Sequence, residues 1–115
     1  MNTRNVGAEW LNLWRQLSDH ADALHDSQSV AFGLLDAYDQ LSTEEKSEVH
    51  SILGEWLLSR DNRRRYDARF LVTERQIREL APSVTLAIDR LNCVAGPEAR
   101  DEVELLQKLR EDLAR

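Results

Sequence analysis

A chain of 115 residues with 42% hydrophobic and 31% charged residues, four Gly and two Pro suits one soluble domain and leaves little room for a disordered or loop-rich protein. The single cysteine, Cys93, excludes an intrachain disulfide and the paired-cysteine spacing of zinc and redox sites. A formal charge of -6 argues against nucleic-acid binding, which gains affinity by displacing counterions with Lys and Arg. The distribution of charge is uneven: residues 1–60 hold four Lys/Arg against ten Asp/Glu, whereas residues 61–115 hold eleven of each.

Strand signals are nearly absent, since no stretch sustains an apolar/polar alternation and no Asn-Gly or Asp-Gly turn occurs. The expected class is all-α: five or six antiparallel helices forming one domain over residues 1–115, in a compact bundle or a short superhelix. No leader pattern opens the chain and no run is long enough to cross a bilayer, so the cytoplasm is the expected compartment and no membrane partner is expected.

In chain order, a first helix is predicted from Val6 to His25, with Trp10, Trp14, Leu17, Ala21 and Leu24 on one stripe and Asp19, Asp22 and Asp26 nearly opposite. A polar break at Asp26–Ser29 precedes a second helix aligned on Val30, Leu34, Tyr38 and Leu41, with Leu35 beside them. Gly33 weakens that helix and marks a close contact with another. Ser42-Thr43-Glu44-Glu45 reads as a capping box that starts a third helix, striped by Val49, Ile52, Leu53, Trp56 and Leu57 and carrying Glu44, Glu48 and Glu55 on its far side.

After Ser59-Arg60, Asp61 is placed to cap a fourth helix, and so short a connection makes the third and fourth helices antiparallel neighbours. At about 100° per residue, Tyr66 and Phe70 point one way, Leu71 lies to one side, and Ala68 and Val72 fill the opposite arc. A helix apolar on so many sides is expected to be the central, enclosed element. A turn is expected around Arg75–Arg78, then a fifth helix with Leu80, Ala81, Val84, Ala87, Ile88 and Leu91 on one face and Pro82 in its first turn. Asn92–Gly96 reads as a loop, and Gly96-Pro97-Glu98 opens a sixth helix striped by Ala99, Val103, Leu106 and Leu113.

The chemistry suggested by these residues is sparse. Asp19, His20, Asp22, His25 and Asp26 crowd one helix, but a carboxylate site in a helix bundle needs matching inward ligands from other helices, and the three aspartates point outward on the wheel. No metal or cofactor is expected. Cys93 has no base beside it in sequence and reads as a buried or incidental thiol, and there is no phosphate loop, GxSxG or HExxH motif. The chain is therefore expected not to be an enzyme.

Two charged features remain. Asp19, Asp22 and Asp26, then Asp36 and Asp39, then Glu44, Glu48 and Glu55 give the first three helices acidic outer faces suited to docking another protein of basic character. The alternative is an anion or nucleic-acid site on Arg63, Arg64 and Arg65, within a cluster spanning Arg60 to Arg78. Against it, Asp67 lies one turn from Arg63 and Arg64 at a wheel position between Phe70 and Leu71, where a partly buried carboxylate needs such partners.

The segment RRYDARFLVTERQIRELAPSVTLAIDRL resembles a helix-turn-helix unit of the HEAT/armadillo superhelical repeats, with Leu80-Ala81-Pro82-Ser83-Val84 as the Pro-containing start of the second helix and Ala87-Ile88-Asp89-Arg90-Leu91 as its terminal run. Gln76–Glu79 stands where those repeats carry a Gly-Asp turn. The resemblance implies a scaffold for protein contact. In size, charge and lack of an active-site motif the chain is also similar in general character to small acidic bacterial immunity proteins, which implies a toxin or basic enzyme as partner.

Overall fold

The computed structural model describes residues 5–24, 28–94 and 96–115, without the side chains of Ala23, Leu24 and Gln28. Among them are six α-helices and no strand: α1 Val6–Leu24, α2 Gln28–Asp39, α3 Thr43–Leu57, α4 Asn62–Arg75, α5 Ala81–Asn92 and α6 Pro97–Ala114, with a 3-10 turn, Arg78–Leu80, between α4 and α5. The chain is all-α. It forms two compact units, Met1–Ile52 and Leu53–Arg115, with the boundary inside α3.

In the first unit the expected stripes are buried at Trp10, Trp14 and Ala21 on α1, at Val30, Leu34 and Tyr38 on α2, and at Val49 on α3. Leu17, Leu35, Leu41 and Ile52 are only half-buried. Asn5 starts α1 by accepting from the backbone N–H of Ala8 at 3.0 Å. α1 and α2 pack as an antiparallel pair, with Leu17 against Gly33 and residues 6–13 beside 37–41. A Cβ added at Gly33 would lie 2.9 Å from both Leu17 methyls, so the glycine is the condition for the helices' close approach there.

The capping box at Ser42 forms in full. The Ser42 N–H donates to Glu45 Oε1 at 2.9 Å and the Glu45 N–H donates to Ser42 Oγ at 3.2 Å.

In the second unit, α4 is capped by Asp61, whose Oδ1 accepts from the Arg63 N–H at 2.9 Å. Asp67, Ala68, Leu71 and Val72 are buried. The opposite arc departs from expectation: Tyr66 is 40% exposed and Phe70 half-buried, so α4 is enclosed on one side only. The two rings stack on each other at 6.5 Å between centroids, which shields part of their apolar surface without an enclosing helix.

The break near Arg75 is a defined C-cap. Gln76 takes the left-handed conformation (φ 48°), Ile77 N–H donates to Val72 O at 3.2 Å, and Gln76 Nε2 donates to Thr73 O at 2.9 Å. This is a Schellman turn with Gln in the position glycine ordinarily takes, closed by buried Ile77 near buried Val72. The 3-10 turn then buries Leu80, and α5 packs along α6; Val84, Ala87 and Ile88 are buried on α5 and Val103, Leu106, Leu109 and Leu113 on α6. Leu109 was absent from the predicted stripe, while Ala99 and Leu91 are only half-buried.

Candidate interaction surfaces

Every described member of the acidic set is exposed: Asp19 and Asp22 on α1, Asp36 and Asp39 on α2, Glu44, Glu48 and Glu55 on α3. Asp26, like His25, lies outside the described residues. The unit boundary sharpens the charge asymmetry. Residues 1–52 hold nine Asp/Glu against three Lys/Arg, and residues 53–115 hold twelve of each, so the whole net charge belongs to the first unit. Neither α1, α2 nor α3 has a Lys or Arg in its last turn, so the partial negative charge at each helix C-terminus adds to the same field.

The sequence reading missed one polar cluster in this unit. Tyr38 OH and His50 Nε2 are 2.6 Å apart, and Lys46 Nζ lies 5.1 Å from the centre of the Tyr38 ring. Tyr38 is buried and His50 half-buried, so the pair ties the end of α2 to the middle of α3. The i, i+4 spacing of Lys46 and His50 was the signal available beforehand, but nothing local pointed it at Tyr38.

The arginine cluster separates into individual roles. Arg65 is committed within the fold: Nε donates to Glu102 Oε1 at 3.1 Å, Nη1 to Ser59 O at 2.6 Å, and Nη2 to Asn62 Oδ1. Its side chain is 13% exposed and that of Glu102 18%. Arg69 Nη1 approaches the same carboxylate at 3.9 Å, and Arg64 Nε lies 3.9 Å from Asp61 Oδ2. Arg63 is exposed. Asp67 is buried at 3% exposure.

Two clefts open on the second unit. One, of about 910 Å³, lies among residues 57–65, 87–94 and 96–102 and has Arg60 and Arg90 on its lining. The other, of about 380 Å³, runs between α4 and α6 beside the Tyr66–Phe70 stack. No family model, curated protein or solved structure matches the chain.

Among the described residues no three His, Cys, Asp or Glu side chains are grouped as metal ligands would be. Cys93 follows α5 as its C-cap and is exposed, which removes the buried half of the reading of a buried or incidental thiol; its Sγ is 3.5 Å from Asp89 O. No described helix is long and apolar enough to cross a membrane.

Proposed function

We propose that this chain is a non-enzymatic module that binds another protein of basic character through the acidic exteriors of α1, α2 and α3, in the manner of an adaptor or a neutralising immunity protein. The observation that carries this reading is the confinement of the net charge of -6 to residues 1–52, where Glu9, Asp19, Asp22, Asp36, Asp39, Glu44 and Glu48 are exposed. A field of one sign speeds encounter with an oppositely charged partner and disfavours wrong ones more than it adds affinity. The resemblance of α4 and α5 to a HEAT/armadillo unit, a scaffold used for protein contact, supports a binding role over a catalytic one.

The anion-binding alternative, through the Arg60–Arg78 cluster, loses the central Arg65 to Glu102, which removes one guanidinium fork from any phosphate site there.

The test is capture from the native lysate at low and high salt, with the unaltered chain beside an Asp19→Lys, Asp22→Lys, Asp36→Lys variant. A specific protein of high pI, held at low salt, released by salt and lost in the variant, is the expected result. Retention of the same partners by the charge-reversed chain would sink the reading. Competition by polyanions, lost on Arg63→Glu, would favour the alternative.

A further inference from the structure

Of the aromatic side chains, Phe32 of α2 is the most exposed, at 56%. Its position follows from how the helix is used. Val30, Ala31, Leu34 and Tyr38 are buried and Gly33 meets Leu17 of α1, so these residues take up the inward side of α2. At about 100° per residue, Phe32 falls on the outward arc, and Asp36 and Asp39 follow it within about 60° of one another, roughly 6 and 10 Å further along the axis. All three side chains are exposed.

Scattered apolar residues at a surface are ordinary, but this one heads a stripe whose other members are carboxylates. Among the described residues the Asp36 side chain makes no hydrogen bond or ion pair, so neither Arg15 nor Lys46, the described cations of the first unit, neutralises it. No Lys or Arg stands in the last turn of α2, and the partial negative charge of the helix C-terminus adds to the acidic end. Glu9 of α1 lies at that same end, where it lines a cleft with Gln40. The outer face of α2 thus passes from an aromatic ring to a concentration of negative charge.

At protein contacts a few buried aromatic anchors supply most of the binding energy, while the charges around them act on encounter and on the choice of partner. Resting on the reading that the first unit receives a basic protein, we propose that Phe32 is the apolar anchor of that contact and that the partner presents an amphipathic basic helix. An apolar side chain of that helix packs on Phe32, and Lys or Arg one and two turns along meet Asp36 and Asp39. A straight stripe on one helix is matched by a stripe on another, because both repeat at the i, i+4, i+7 spacing.

The experiment is fluorescence anisotropy with two labelled helical peptides of equal length and charge, one of Leu and Lys, the other with Ala in place of every Leu. Both should bind the unaltered chain at low salt, the Leu/Lys peptide at least about tenfold more tightly. Phe32→Ser should remove that preference and leave the salt-sensitive binding of the Ala/Lys peptide in place, and Phe32→Leu should keep most of the preference. Asp36→Lys should weaken both peptides, whereas Leu86→Ser, at a 52% exposed apolar position of α5, should weaken neither. Circular dichroism of each variant should match the parent, since all three positions are exposed. A preference for the Leu/Lys peptide that survives Phe32→Ser overturns the proposal and leaves the acidic docking surface standing. Binding of neither peptide, or binding indifferent to salt and to Asp36→Lys, overturns both.

Discussion

At the scale of single residues, two positions set local geometry against the ordinary preference of the backbone. Gln76 holds a left-handed conformation that costs an L-residue roughly 1 kcal/mol, and it recovers part of that through its side-chain bond to Thr73 O. Gln76→Gly is expected to raise stability by about 0.5–1 kcal/mol, and Gln76→Ala, which keeps the Cβ and loses the bond, to be the least stable of the three. Urea denaturation of the three proteins checks the order. Gly33 presents the opposite balance: Ala would gain up to about 1 kcal/mol of helix propensity, yet its Cβ would meet both Leu17 methyls at 2.9 Å. Gly33→Ala should therefore be more favourable, by about 1 kcal/mol, in a Leu17→Ala background than alone; equal effects in both backgrounds would remove the close contact as the reason for glycine. Asp67, buried at 3%, is expected to destabilise the fold by more than about 1 kcal/mol when changed to Ala, because the groups arranged around a buried carboxylate lose their counterpart. Unchanged thermal stability in that variant would count against the carboxylate's structural role.

At the scale of elements, caps and ion pairs decide where helices begin and what they hold. The reciprocal bonds of Ser42 and Glu45 were legible because a capping box is a contiguous pattern whose partners lie three residues apart. Ser42→Ala is expected to cost about 1 kcal/mol, read as a lower denaturation midpoint. Arg65 and Glu102 were not legible as a pair, since thirty-seven residues separate them and nothing in the Arg63-Arg64-Arg65 run singles out its third member. Their partial burial makes the pair structural: Arg65→Met should cost about 2–4 kcal/mol by leaving Glu102 enclosed with only Arg69 nearby, and Arg65→Met with Glu102→Leu should recover a large part of it. Additive losses in the two single variants would argue that the pair does not act as a unit.

At the scale of the whole chain, the net charge is unevenly divided between the two units. Residues 1–52 carry the entire net charge and residues 53–115 none, so ionic strength should act on the proposed contact with a basic partner and only weakly on the stability of the second unit. Reversal of Asp19, Asp22 and Asp36 is accordingly expected to shift the denaturation midpoint by less than about 0.5 kcal/mol equivalent while abolishing salt-sensitive capture of a basic partner. All three are exposed side chains, which is why stability and binding are separable there.

The all-α class, the approximate helix limits, the caps at Ser42 and Asp61 and the acidic helix faces were legible in the sequence alone, because each depends on neighbours within about one helical turn. Tertiary structure decided the rest. The helical wheel correctly marks Tyr66 and Phe70 as apolar but cannot say whether another helix covers them; α6 leaves them beside an open groove. Likewise Tyr38 finds His50, and Arg65 finds Glu102, only once separate helices have packed, since side-chain contacts between elements depend on crossing geometry that no local periodicity encodes.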